Sequence, residues 1–244
     1  MIWLWPALGA GAGLIAGSFL ATLVVRWPMG AGLGGRSMCD SCHVPLGARD
    51  LVPLVSFALA KGRCRTCGDP IDPVHPIVEG LCTAVGFVAL AVSPDAAGAT
   101  AMFIGWLLVA LAALDVREFW LPDVLTAALG MVAVLSSWVV DPPGITDRVI
   151  GGAVAFVSLW LIATLYRRLR GREGLGGGDP KLFGAVGLWL GWQPLPFVLL
   201  GASAIGLIAV LAMMLRGRAV SATTRLPFGT LLAVAAFPVW LIMR

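Results

Sequence analysis

Apolar residues run along this chain in long blocks from its first residues to its last, separated by short polar connections. Blocks long enough for about 17 to 25 residues per crossing predict membrane helices. The pattern places helices near 2–25, 76–92, 99–115, 122–140, 148–166, 180–192, 195–215 and 227–243, with the sixth short for a simple span. Turn signals divide them: "SPDAAG" at 93–98, "DPPG" at 141–144 and "QP" at 193–194. The first block lacks a basic leader and a clear small-residue cleavage site, so it reads as a retained helix. No internal repeat or low-complexity tail stands out. The predicted fold class is an all-α polytopic membrane protein of about eight transmembrane helices, with a small cytoplasmic domain between helices 1 and 2. The expected division is a first transmembrane helix at 1–26, a cytoplasmic domain at 27–75 and a transmembrane domain at 76–244.

Composition sharpens this picture. Hydrophobic side chains make up 59% of the chain, charged ones only 12%, and mean hydropathy is +0.93. Soluble domains carry roughly 25% charged residues, so a soluble protein is excluded. The net charge of +4 does not indicate nucleic acid, because the cations are distributed by topology. If the first helix runs inward, the inner connections hold Arg26, Arg36, Arg49, Lys61, Arg63, Arg65, Arg117, Arg167, Arg168, Arg170, Arg172, Arg216, Arg218 and Arg225, with Lys181 just beyond. Only Arg148 and Arg244 remain for the outer side. The positive-inside rule then turns both chain ends outward.

The cysteines give the most specific spacing. "RSMCDSC" and "GRCRTCG" are two C-x-x-C pairs, Cys39 with Cys42 and Cys64 with Cys67, separated by 21 residues. Two such knuckles supply four thiolates at about 2.3 Å from one ion, the pattern of a structural zinc site. Disulfides are the alternative, but a connection with six basic residues belongs in the cytoplasm, where thiols stay reduced. The segment is rich in Arg, Pro and Gly, so a metal would compensate for its missing apolar core. Cys82 lies within an apolar helix and reads as an ordinary buried residue.

Two acids stand out among the thirteen. Asp115, in "LAALDVREFWLPD", closes an apolar run, where a carboxylate opposes the helix dipole. Asp179, in "GLGGGDPKLFGAVGLWLGW", has a local explanation as an N-cap with Pro180 at the first helical position. The predicted topology nevertheless puts both at the same depth, on the inner face. Two carboxyls close enough to share a proton cannot both ionise easily, which supplies an acid and a base together. Gly174, Gly176, Gly177 and Gly178 would let backbone pass close to an extended peptide and adopt conformations closed to other residues. Lys181 reads either as part of this supporting loop or as a snorkelling residue. Asp123, after Pro122, reads as a structural cap. His75 is a lone histidine at a loop end, and Glu79, inside the start of the second helix, draws a weaker functional suspicion.

These stretches resemble the type IV prepilin peptidases, membrane aspartic proteases whose long form also N-methylates the product. The resemblance spans nearly the whole chain: "GSFLATLVVRWP", "RSMCDSC…RDLVPLVSF…GRCRTCG…IDPVHPIVEG", "DVREFWLPD", "GLGGGDPKLFGAVGLWLGW" and "LPFGTLLAVAA". It implies that Asp115 and Asp179 form the catalytic pair, that the substrates are prepilin or pseudopilin proteins in the bilayer, and that S-adenosylmethionine is the methyl donor. It also implies the bacterial inner membrane, with the active site facing the cytoplasm. Ala21 stands where the family usually has Asn, Val74 and His75 replace the first two residues of an "R-Y-P" type stretch, and Thr230 follows "PFG" where Pro is usual. The first two departures lie in or beside the methyl-transfer part, so the resemblance bears more firmly on proteolysis. The competing readings are a peptidase without methylation, a presenilin-like intramembrane protease, a proton-coupled transporter and a noncatalytic assembly protein. The zinc knuckles and "LPD" disfavour the presenilin kind. Acids at helix ends rather than mid-span disfavour transport.

Overall fold

The computed structural model describes residues 3–30, 34–39, 41–219, 221 and 224–244. Among them every regular element is helical, with no named strand. The chain forms two compact units, 1–94 and 95–244.

The first unit is built on two long antiparallel helices, α1 (Leu4–Arg26) and α3 (Val74–Val92), with the cysteine segment, a 3-10 turn at Ala48–Asp50 and the short α2 (Val55–Leu59) between them. The helix expected from residue 2 starts at Leu4, and residues 1 and 2 lie outside the described residues. Gly9, Gly13 and Gly17 repeat every fourth position, placing three hydrogens on one face of α1. The backbone of α3 closes onto that face at Gly86, Cys82 and Glu79. A β-carbon at Gly17 would stand 2.7 Å from Glu79 Cα, so any larger residue would push the helices apart. Small residues at this spacing allow close helix contact in lipid, where apolar burial supplies no drive for association.

The second unit contains α4 (Ala96–Glu118), α5 (Asp123–Ser136), α6 (Ile145–Arg170), α7 (Asp179–Leu190), α8 (Leu195–Leu215) and α9 (Phe228–Ile242). Asp95 caps α4, its carboxylate accepting from the amides of Ala97 at 2.9 Å and Gly98 at 3.1 Å. At the far end Phe119 turns left-handed (φ 50°) and its N–H returns to the Asp115 carbonyl. The helix therefore continues three residues beyond Asp115, which lies in its last turn. Helix α7 packs on α5 and α6, and α9 packs on α4 and α8. Gly151 and Gly152 meet Gly184 and Gly187 where α6 and α7 approach.

Five helices, α1, α3, α4, α6 and α8, are long and apolar enough to cross a membrane. The others expected to span are shorter: α5 has 14 residues, α7 has 12 and α9 has 15. Only 17% of the apolar windows of α6 and α8 is buried within the protein, leaving surfaces such as Leu161, Leu165, Leu200 and Leu207 that suit lipid.

Arg148, counted from sequence among the outer-side charges, is a buried structural cation. It lies inside α6 and is only 1% exposed. Nε donates to the Pro143 carbonyl at 2.8 Å, Nη1 to Ala133 at 3.0 Å and Trp189 at 3.4 Å, and Nη2 to Val140 at 3.2 Å. Ala133 and Trp189 belong to the last turns of α5 and α7, whose final carbonyls lack intrahelical partners. One guanidinium thus holds two helix C-termini, where positive charge is favoured.

Candidate functional site

Asp115 and Asp179 both lie in the second unit and are nearly buried, at 5% and 4% exposure. The position of Asp115 against its own helix dipole is explained by a different helix. Its Oδ2 accepts the backbone N–H of Thr230 at 2.7 Å, and the Thr230 hydroxyl lies 3.0 Å from the same oxygen. Thr230 is in the first turn of α9, so its amide has no partner within that helix. Asp115 therefore serves α9 as a capping acid supplied from α4. The Thr230 hydroxyl also approaches the Ala112 carbonyl of α4 at 3.1 Å, which ties the two helices together beside the acid.

Asp179 differs from its expected role as an N-cap. The cap position is Gly178, and Asp179 is the first residue of α7. Its Oδ2 accepts the amide of Gly176 at 2.9 Å, folding the glycine loop back onto the acid. Burial, reinforced by the charge of Asp115 and opposed by the Gly176 amide, raises Asp179 to about 6. Each acid thus has Oδ2 held by donors and its other oxygen outside these bonds.

The glycines of the loop earn their place by closeness. Gly174, Gly176, Gly177 and Gly178 are absent from the positive-φ residues, which corrects the expectation of unusual backbone conformations. A β-carbon at Gly174 would meet the Tyr166 ring at 2.6 Å, and one at Gly178 would meet Leu121 Cβ at 2.7 Å, whereas Gly177 faces open space. Leu121 also abuts Gly229, where a β-carbon would stand 2.7 Å from Leu121 Cδ1 and 3.1 Å from Asp115 Oδ2. This leucine is the spacer between the loop before α7 and the start of α9. Lys181 and Asp123 form an ion pair at 2.6 Å between the first turns of α7 and α5. The pair gives Lys181 a partner, and Asp123 makes no side-chain cap bond, α5 having Pro122 at its cap.

The four cysteines of the first unit converge. Their sulfurs all lie within 4.8 Å of one another, and Cys39 Sγ stands 3.9 Å from Cys67 Sγ. Sulfurs at the corners of a zinc tetrahedron of about 2.3 Å radius stand about 3.8 Å apart, so the cluster has the dimensions to hold that ion. The knuckles repeat each other, a short internal repeat unnoticed in the sequence. Cys39 N–H reaches Val44 O and His43 N–H returns to Cys39 O; Cys64 N–H reaches Asp69 O and Gly68 N–H returns to Cys64 O. Paired bridges, Met38 with Pro45 and Arg63 with Pro70, close the two turns. The amides of Cys67 and Thr66 lower Cys64 to about 6, readying it as a thiolate.

Glu79 sits beside this segment at 6% exposure, its Oε2 accepting the Leu54 N–H at 2.8 Å. Sequence reading missed Thr230 and Leu121 as parts of the acid site. "LPFGT" had shown Thr230 only as a departure from a resemblance, and nothing local marks a leucine as a spacer.

Two family models match the chain. The model of the type IV leader peptidase family matches residues 102–211, and that of the bacterial peptidase A24 N-terminal domain matches residues 12–93. The chain is 36% identical to the prepilin leader peptidase/N-methyltransferase of Aeromonas hydrophila, over 83% of this chain and 70% of that protein. Its identity to the protein of the same name from Klebsiella pneumoniae is 36%, over 82% and 91%. For that from Dickeya chrysanthemi it is 38%, over 91% and 76%. No solved structure matches. A buried acid at the start of α7, a second capping α9 and a four-cysteine cluster thus occur in an apolar helical chain that belongs to the type IV leader peptidase family.

Proposed function

We propose that the protein is an aspartic endopeptidase of the bacterial inner membrane that removes the leader from type IV prepilin-like proteins and N-methylates the new terminus with S-adenosylmethionine. One observation carries the peptidase reading: two buried carboxyls on different helices, electrostatically coupled, each with one oxygen tied and the other left for chemistry. Asp179 holds the shared proton and Asp115 takes a proton from the attacking water. Asp179 then protonates the scissile carbonyl, and the proton held on Asp115 passes to the leaving amine. No covalent intermediate is needed.

The arginine-rich inner connections favour a cytoplasmic active site, with Arg167, Arg168 and Arg170 in the last turn of α6 and Arg26 in that of α1. On this orientation the shorter α5, α7 and α9 complete eight membrane-embedded helices. Cys39, Cys42, Cys64 and Cys67 would hold a structural zinc that orders a segment with little core of its own. The peptidase chemistry then belongs to the second unit and methyl transfer to the part around residues 27–75.

The test is the intact mass of a prepilin after incubation with solubilised protein and S-adenosylmethionine. Wild type removes the leader and adds one methyl group. Asp115→Asn and Asp179→Asn each leave the prepilin whole while remaining folded. Normal processing by either variant would remove that acid from the mechanism.

A further inference from the structure

Within the first unit, α1, the cysteine segment and the start of α3 line a cleft of about 180 Å³. Its walls follow helical spacing. Ser18, Thr22 and Arg26 recur every fourth residue along α1, and His75 and Glu79 do so along α3. The cleft therefore carries polar groups where two apolar helices leave the cysteine segment.

Glu79 is the informative group. It is a nearly buried carboxylate whose Oε2 is occupied by the Leu54 amide, while its second oxygen is outside that bond. Leu54 has φ 59° and ψ −45°, a costly backbone for a bulky residue, and its N–H is the one aimed at Glu79. The seam at Gly17 presses the backbone of α1 against Glu79 Cα. Strain and close packing together fix where this acid sits. Among the arginines lining the cleft, Arg65 is paired with Asp50 at 3.1 Å and Arg63 donates to the Gly68 carbonyl at 3.2 Å. Arg26 has no such bond among the described contacts and is half-buried.

We infer that this cleft holds the methyl donor, with Arg26 pairing its carboxylate and Glu79 accepting the proton shed by the substrate amine. The inference rests on the N-methyl transfer proposed above. The incoming ammonium must lose one proton to expose its lone pair, and the second oxygen of Glu79 takes it. The donor supplies a methyl group from a sulfonium: an N–C bond forms as the S–C bond breaks, whose electron pair stays on sulfur as a neutral thioether. The methylated amine leaves as the cation. A buried carboxylate beside the amine draws that cation in and then relieves it of a proton.

The test measures equilibrium binding of radiolabelled S-adenosylmethionine to the purified full chain, alongside leader cleavage and methylation by the same preparations. Wild type binds the donor. Arg26→Met and the cleft-filling Thr22→Trp weaken binding at least tenfold. Glu79→Gln, which retains a carbonyl for the Leu54 amide, binds within about twofold of wild type yet methylates at least a hundredfold more slowly. Continued leader cleavage reports that each variant is folded. Wild-type donor binding by both Arg26→Met and Thr22→Trp, or wild-type methylation by Glu79→Gln, would overturn the assignment. A wild-type protein that cleaves but binds no donor would overturn it and leave the peptidase reading standing. Loss of cleavage in wild type would instead bring down the proposed function itself.

Discussion

Gly177 and Gly178 are adjacent, chemically identical and indistinguishable in the sequence, but the fold sets them very different tasks. A β-carbon at Gly178 would lie 2.7 Å from Leu121 Cβ, where ordinary contacts fall at 3.4–4 Å. The loop before α7 must then move from Leu121 by about 0.7 to 1.3 Å, displacing Asp179 relative to Asp115. A misplacement of about 1 Å between groups that act together costs on the order of a hundredfold in rate, or about 2.7 kcal/mol of barrier. Gly178→Ala should therefore lower leader cleavage by about that factor, whereas Gly177→Ala, with nothing within 4 Å, should cleave like wild type. Gel or mass detection of processed prepilin at several enzyme concentrations measures both. Leu121→Gly in the Gly178→Ala background removes the obstructing carbon and should restore part of the rate. Equal, wild-type cleavage by the two single variants would refute the spacer role of Leu121.

Three further outcomes follow from separate parts of the molecule. Asp179, raised to about 6, is protonated below that pH and loses its proton above it; a mechanism that needs the proton predicts cleavage falling as pH rises through this value, and a flat pH–rate profile from 5 to 9 would contradict it. Arg148→Met strips the donors from carbonyls of Pro143, Ala133 and Val140 and should cost about 3 kcal/mol, read as a lower thermal midpoint in detergent; an unchanged midpoint would show that the arginine is dispensable. Purified under reducing conditions, the chain should carry one zinc ion, and Cys64→Ser should lower that content; metal analysis that finds none in wild type would dismiss the thiolate site.

The helices were legible because each is a run of apolar residues bounded by turn chemistry, a local signal. The two acids and the four cysteines were legible for a related reason: such residues are conspicuous in an apolar chain, and two-residue gaps between thiols carry a geometry of their own. What escaped depended on partners remote in sequence. Asp115 looked misplaced against the dipole of α4 because its partner is the first turn of α9, with Thr230 115 positions away. Asp179 looked like a simple cap, although its carboxylate turns back to Gly176. Arg148 fitted a charge count for the outer side, and only the meeting of α5, α6 and α7 shows that it faces carbonyls. The knuckle repeat escaped for another reason, since "MCDSCHVP" and "RCRTCGDP" share only cysteines and a proline, and their likeness lies in the paths of the backbone.

Arg148 also bears on how the chain is assembled. It is the fourth residue of α6, so before its neighbours arrive the guanidinium can reach phosphates of the lipid headgroups from near the helix end. In the finished bundle the same donors grip the ends of α5 and α7. Exchange of lipid oxygens for peptide oxygens is therefore a docking step, completed only when all three helices are present. A ribosome that has delivered α6 has already delivered Pro143, Ala133 and Val140, so the shortest contacts of this cation form within that segment and the bond to Trp189 waits for α7. The arrival of α7 is thereby registered at its C-terminal end, the end opposite Asp179.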